Sequence, residues 1–494
     1  MYLLGYDIGS SSIKAALISP ESGETVGVVQ HPGTEMGIIA LQPDWAEQDP
    51  EQWWEYVCIA TRELLQKTAV DPAKIQAIGI AYQMHGLVLV DEHQQVLRPS
   101  IIWCDSRAVS IGNEAFTAIG EEKCLTHLLN SPGNFTASKL KWVKDNEPDI
   151  YNRIHKIMLP GDYIAMRLTG EIVTTPSGLS EGIFWDFKSN QVADFVLDYF
   201  GFQRDVIPIV LPTFSEQGRL TPAAAAATGL HVGTPVTYRA GDQPNNALAL
   251  NVLQPGEIAA TGGTSGVVYG VVDKPVYDPK SRVNGFAHVN HSAQEPRIGI
   301  LLCINGTGIQ YSWAKHIIGG DALSYPEMEQ LAQGIPIGAD GLRILPFGNG
   351  AERMLENNNI GAQINGLNFN RHGQAHLYRA ALEGISFAFV YGMEILQEMG
   401  LDTNLMRVGN DNLFQSDIFS ETIATLMNCT IEVIETTGAV GAAMGAGVAI
   451  DLSAAKPKAQ TGKVVKTYQP NDQKEAYRQA YEIWRNDLEY SLTK

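Results

Sequence analysis

The chain has 494 residues, with 54 acidic side chains against 35 basic ones, a net charge of −19 and 45% hydrophobic residues. A chain of that length exceeds one compact core and suits two large domains or three small ones. Its acidic balance repels a phosphate backbone and speaks against sequence-independent binding of nucleic acid.

Cys58, Cys104, Cys124, Cys303 and Cys429 are scattered, odd in number and without C-x-x-C spacing. They read as reduced thiols, not as a disulfide frame or a zinc site. No apolar run reaches the length of a membrane span, and the first residues lack the basic n-region of a secretory signal. A cytoplasmic protein with no membrane partner is expected.

In chain order, residues 2–6 and 13–18 are rich in strand formers and are joined by Gly9, Ser10, Ser11 and Ser12. A turn at Pro20, Glu21, Ser22 and Gly23 leads to a third strand over 25–29. A helix follows from Pro50 to about Leu65, with Asp49 as its N-cap. Strands at 75–81 and 87–90 enclose a QMHG loop. The charges of KLKWVKDNEPD, residues 139–149, read as a solvated helix face. A strand at 235–240 ends in GDQPNN and a short helix; one at 257–261 ends in GGTSG and continues as VVYGVV. The Gly/Ala-rich stretch 438–450 reads as a buried helix whose small residues allow close packing. The last helix, about 474–492, could pack on either half of the molecule. The two hairpins DIGSSS and TGGTSG suggest a weak internal duplication, hence two related α/β domains, 1–240 and 241–494, with a functional cleft between them.

A hairpin turn of Gly, Ser and Thr gathers backbone N–H groups and hydroxyls into an anion nest. One such turn per domain, Ser10 and Ser11 in the first and Gly263, Thr264 and Ser265 in the second, could grip a polyphosphate from two sides. The same residues also make ordinary tight turns. Neither turn is a Walker A loop or a G-x-G-x-x-G leading into a helix. Asp7 at a strand end suits Mg²⁺, which takes one or two carboxylates plus phosphate oxygens, but equally suits an Asx-turn. Asp242, at a strand-to-helix junction, could accept the proton of a substrate hydroxyl, or could simply cap the helix. By residue type alone, His85 and Met84 are more often structural. Trp103, Asp105 and Arg107 could line a sugar pocket or form a buried ion pair.

These segments resemble, in order, the motifs of the FGGY carbohydrate kinases. DIGSSSIK resembles their first phosphate loop, MHGLVLVDEHQQVLRPSIIWCDSRA their central signature, GDQPNNA the loop of a catalytic aspartate, and GGTSG the second phosphate loop. GLNFNRHGQAHLYRAALEG, WAEQDPEQWW and GNFTASKLKWV are similar to further family segments, so the resemblance runs over about residues 1 to 450. It implies an α/β fold of two actin-like ATPase (ribonuclease H-like) domains closing over ATP and a sugar, with Mg²⁺ at Asp7. It implies that Asp242 is the general base and that Met84, His85, Trp103, Asp242 and Gln243 hold the sugar. The nucleotide would contact Ser10, Ser11, Gly263, Thr264 and Ser265, then Gly306 and Gln310 of INGTGIQ and Gly409 and Asn410 of RVGNDNLFQSD.

QMHG is similar to the xylulose-phosphorylating branch, whereas glycerol-phosphorylating members carry an Arg–Glu pair there. Conversion of D-xylulose to D-xylulose 5-phosphate is therefore the first reaction expected. Gln243 departs from the Asn common at its place, and Asn410, Asp411 and Asn412 replace smaller residues. A kinase for another ketose or polyol, such as ribulose, glycerol or an erythritol-like substrate, is one alternative. A non-catalytic sugar sensor and a filament-forming actin-like ATPase are others. The expected partners are a small sugar and ATP, and a homodimer is compatible with the chain.

Overall fold

The computed structural model describes residues 1–319, 322–450 and 462–494. Strands β1 (Tyr2–Ile8), β2 (Ile13–Ile18) and β3 (Thr25–His31) form an antiparallel meander, with Ile8 opposite Ile13 across the first turn. Helix α1 (Pro50–Thr68) begins where its cap chemistry dictates: the Asp49 carboxylate accepts from Glu51 N at 3.0 Å, and Pro50 needs no donor partner. Strand β4 (Ile75–Tyr82) then runs parallel to β1.

A largely helical insertion follows, including α2 (Thr136–Asn146) and α3 (Pro176–Glu181), before β5 (Val236–Gly241) returns parallel to β4. The sheet order is β5-β4-β1-β2-β3. Trp53, Val57, Ala60 and Leu64 of α1 are buried in the core with Tyr6, Ile8 and Ile13. Helix α4 (Asp242–Ala249) starts as soon as β5 ends.

The remaining chain repeats this plan. Strands β6 (Ile258–Gly262), β7 (Gly266–Val272), β8 (Asn284–Ala287) and β9 (Ile298–Ile304) precede helices α5 (Gly308–Ala314) and α6 (Gln374–Glu398). They are followed by β10 (Leu405–Gly409), β11 (Thr430–Ile434), helix α7 (Gly438–Ala449), β12 (Val464–Tyr468) and helix α8 (Lys474–Leu492). The sheet order is β8-β9-β7-β6-β10-β11-β12. Its central strands β9-β7-β6-β10-β11 match β3-β2-β1-β4-β5 in order and direction: two antiparallel pairings, then two parallel ones. The duplication hinted at by the two hairpins is thus a duplication of topology.

Helix α7 comes late in the chain but lies on the first sheet. A Cβ on Gly5 would stand 2.0 Å from Ala439 O, and one on Gly79 would stand 1.9 Å from Ala442 O. The small residues are there to let helix and strands approach this closely. Helix α8 packs on the second unit, where Trp484 Nε1 donates to Ile344 O at 2.8 Å and Tyr481 to Glu394 at 2.9 Å.

The expectation of a solvated face for residues 139–149 fails at one position. Lys139 is 0% exposed, and its ammonium donates to His85 O at 2.9 Å and Ile102 O at 3.0 Å. It lies four residues before the buried Val143, so helical spacing turns it inward with the apolar residues. Lys141 and Asp145 do form an i,i+4 pair on the solvent side. All five cysteines are free. Among the described residues no helix is long and apolar enough to cross a membrane.

Candidate active site

Three chain segments leave the first sheet at one edge. Asp7 precedes the turn after β1, QMHG follows β4, and Asp242 follows β5. These are the carboxyl ends of three mutually parallel strands, where α/β sheets place their ligands. Asp7 and Asp242 are close enough to repel. Burial raises both carboxyls, and the charge of Asp7 helps push Asp242 up to about 7; hydrogen bonds from Gln243 act the other way. Lys14, opposite Asp7 in the β1–β2 pairing, draws the Asp7 carboxyl back down. Asp7 also meets the start of α7, since a Cβ on Gly438 would stand 2.5 Å from its Oδ2. A glycine there leaves the carboxylate room at the positive end of a 12-residue helix.

Two hard oxygen donors that repel one another fit a divalent cation of the Mg²⁺ type, which takes few protein ligands and relieves that repulsion. Among the described residues no group of three His, Cys, Asp or Glu side chains could hold a metal, so this fit rests on the Asp7–Asp242 pair.

On the adjoining side, His85 adopts φ 64°, a conformation uncommon for a residue with a side chain. Its Nδ1 lies 2.9 Å from Glu181 O. A carbonyl can only accept, so Nδ1 carries the hydrogen and Nε2 is an acceptor. Burial first, and the Lys139 cation second, lower the imidazole pKa to about 3, which keeps it neutral. Phe135 meets the ring edge-on at 4.7 Å and Phe286 of β8 at 5.5 Å, so both units grip it. Met84 Cγ lies 2.5 Å from the point where a Cβ on Gly241 would begin, beside Asp242. Trp103 is 51% exposed, and its Nε1 donates to Ser10 Oγ at 3.3 Å, tying this side to the first turn. Of the two readings of Asp105 and Arg107, the structure has the buried ion pair, with Arg107 also paired to Glu47 and stacked 3.8 Å over Trp45.

The first turn closes through Gly9 N to Ser12 O at 3.1 Å, with Ser10 half-buried and Ser11 exposed. The second turn borders a cavity of about 670 Å³. Gly263 and Thr264 line it, with Ile309, Tyr311, Tyr325 and residues of the 412–417 segment. The turn is braced from behind: Gly308 N donates to Gly263 O at 2.9 Å and Ile309 N to Thr264 O at 3.1 Å. A Cβ on Gly308 would stand 2.4 Å from Gly263 O, so this brace requires glycine.

The other anticipated nucleotide residues lie outside that lining. Ser265 is exposed in the turn. Gly306 packs on Pro346, whose carbonyl would be 1.6 Å from a Cβ. Gln310 is buried with an unpartnered amide. Gly409 ends β10, and Asn410 donates to Glu435 at 2.9 Å. The cavity wall begins two residues later, at Asn412 and Leu413.

Four residues at this site escape sequence reasoning. Helical spacing is the signal that could have found Lys139, and Lys14 stands inside the DIGSSSIK stretch. Arg353, whose charge reaches both His85 and Cys303, and Glu181 carry no local signal.

The model of the N-terminal domain of the FGGY family of carbohydrate kinases matches residues 2–249, and that of the C-terminal domain matches residues 258–450. The chain belongs to the FGGY family of carbohydrate kinases. This FGGY kinase is 30% identical to the xylulose kinase of Escherichia coli K12, over 92% of its own length and 90% of that relative. Its fold superposes on the crystal structure of xylulose kinase from Rhodospirillum rubrum with a TM-score of 0.88 and 25% identity, covering all of both chains. It superposes equally on gluconate kinase from Lactobacillus acidophilus, with a TM-score of 0.89, 22% identity, and 99% and 98% of the two chains covered; that likeness is one of fold alone. The protein is therefore a two-domain phosphotransferase with ATP and a sugar as substrates.

Proposed function

We propose that this FGGY kinase phosphorylates a pentulose, D-xylulose first, with Asp242 as general base. The observation that carries the reading is the placing of Asp242: it opens a helix at the strand ends shared with Asp7, flanked by His85 and Met84.

In the proposed mechanism the nucleotide occupies the cavity beside the second turn, and its phosphate tail lies between the two Gly/Ser/Thr turns. His85 and Met84, with Trp103 and Gln243, orient the sugar so that one hydroxyl faces Asp242. The Asp242 carboxylate takes the hydroxyl proton as the oxygen attacks the γ-phosphorus. The new O–P bond forms as the bond to the β-phosphate oxygen breaks and ADP departs. Mg²⁺ bound through Asp7 would supply neutralisation of phosphate charge. Neutral His85 presents Nε2 as an acceptor for a sugar hydroxyl. The boundary between the two units is read at residues 240 and 241, at the end of β5 just before α4, with α7 holding the second unit against the first sheet. Closure over both substrates would exclude water and limit wasteful hydrolysis of ATP.

The reading is tested by following ADP release against a panel of free pentuloses, hexuloses and polyols. D-Xylulose is expected to give the highest kcat/KM, and a clear preference for another sugar would overturn the substrate assignment. His85→Ala is expected to raise KM for the sugar and leave KM for ATP unchanged; equal effects on both would remove His85 from the sugar pocket.

A further inference from the structure

His85 is fastened at both its ring and its backbone. Its φ of 64° is a conformation that persists in a residue with a side chain only where the surroundings impose it. At the ring, Nδ1 donates to Glu181 O at 2.9 Å. Glu181 ends α3, which is docked onto β8 of the second unit: Ser177 Oγ donates to Ala287 O at 3.0 Å, and Ala287 N donates to Ser180 Oγ at 2.9 Å. At the backbone, His85 O accepts from Lys139 Nζ at 2.9 Å. The same nitrogen donates to Ile102 O at 3.0 Å. Ile102 is a fixed point, fully buried, with its own N–H bonded to Ala46 O at 3.1 Å.

A lysine is a costly way to join two carbonyls. Lys139 is fully buried, and among the described residues its ammonium makes no ion pair. Asp105, Cys104 and Glu181 favour its charge and Arg107 opposes it, but Asp105 is already paired with Arg107. An apolar side chain of similar length would serve packing alone as well. Burial draws the ammonium down to about 7, and the neutral amine still has two N–H groups for two carbonyls, so the tether survives in either state. One short segment grips His85 from two directions, with Phe135 edge-on to the imidazole at 4.7 Å and Lys139 at the carbonyl. The side chain so held is still 20% exposed, so the ring remains open to a ligand.

We infer that Lys139 is a positioning residue of the acceptor pocket: by tethering the His85 carbonyl to Ile102, it sets the direction in which the imidazole meets a sugar hydroxyl. It acts through His85 and touches no substrate itself. The inference rests on the reading of His85 as a sugar-binding residue. A displacement of about 1 Å in a group that orients substrate can cost about 10²-fold, even when the change is made away from the chemistry.

The experiment measures KM for sugar, KM for ATP and melting temperature in the full-length enzyme. The variants are Lys139→Met, Lys139→Gln, His85→Ala and the double variant His85→Ala with Lys139→Met. Met removes the donors and keeps most of the length, whereas Gln keeps an N–H₂ group. Lys139→Met is expected to raise KM for the sugar by up to about 10²-fold and to leave KM for ATP unchanged, and Lys139→Gln to recover part of that loss. In the His85→Ala background, Lys139→Met should raise the sugar KM by no more than about threefold further, because the residue it aims is gone. A lysine that only supports the fold would add its full effect there, and that result overturns the inference. So does an unchanged sugar KM in a folded Lys139→Met. Failure of both Lys139→Met and Lys139→Gln to fold would make Lys139 a determinant of the fold and overturn it equally. His85→Ala separates the two levels: an unchanged sugar KM there removes the pocket itself, whereas a raised KM with inert Lys139 variants removes only this inference.

Discussion

The two hairpin turns are the same device with one difference. DIGSSS and TGGTSG join the first two strands of equivalent sheets, and each sets small residues at the turn, Gly and Ser in the first and Gly, Thr and Ser in the second. Where the N-terminal hairpin carries Asp7, one residue before its strand ends, the C-terminal hairpin carries Thr261 at the equivalent place. The N-terminal turn therefore faces Asp242 and a pair of repelling carboxyls, while the C-terminal turn borders the 670 Å³ cavity. On the proposed reading, a duplicated turn supplies the same anion nest twice while a single side chain decides which copy would hold a cation.

The largest effect that would break this asymmetry is at Asp242. Asp242→Ala is expected to lower kcat by about 10²–10⁴-fold with the fold retained, the worth of a general base. Near-normal turnover would leave the N-terminal turn with no chemistry to serve. Next comes the carboxylate that distinguishes the turns. Asp7→Asn is expected to lower kcat by about 10²-fold, within the range of one lost electrostatic group, and to raise the Mg²⁺ concentration needed for half-maximal rate. The reciprocal change, Thr261→Asp, should not rescue it, because no Asp242 faces that turn; restored activity in the double variant would make the two turns interchangeable.

A smaller effect is expected on the nucleotide side. A Cβ at residue 308 would lie 2.4 Å from Gly263 O, so Gly308→Ala must push the C-terminal turn away. The expected result is a KM for ATP raised about tenfold, some 1.4 kcal/mol, with KM for sugar unchanged. A rise in sugar KM alone would reverse the assignment of the two sides of the cleft.

How much of this is legible in the sequence depends on how local the signal is. The hairpins, the capped helix at Pro50 and the Gly/Ala helix at 438–449 announce themselves through turn chemistry, Asp–Pro capping and small-residue spacing. Where α7 packs is not local: only the pairing of Gly5 and Gly79 with Ala439 and Ala442 puts a late helix on an early sheet. Charge, weighed above helical phase, misplaces Lys139. Glu181 and Arg353 are far in sequence from His85 and reach it only through the docking of α3 and the folding of the second unit. At 410–412, loop geometry places the cavity wall a little beyond the residues that the family motif suggests.

The smallest effect is the subtlest test, because it sets function against stability at one residue. The Asp242 carboxyl rises from its ordinary 3.8 to about 7 through burial and the neighbouring Asp7 charge. A carboxyl with a raised folded-state pKa binds its proton more tightly folded than unfolded, so its ionisation weakens the fold. That cost is absent below pH 3.8, grows as pH rises, and is complete above about 7. Asp242→Asn should therefore be inactive yet melt higher than wild type at pH 8 in EDTA, by about 2–4 °C for each kcal/mol recovered. The gain should vanish near pH 4. In Asp7→Asn the like charge is gone, so the acidic limb of the residual kcat/KM should move to lower pH. A melting gain at pH 4 equal to that at pH 8, or an unmoved limb, would mean that the two carboxyls do not sense each other. The asymmetry between the turns would then be one of sequence, without the electrostatics that give it a role.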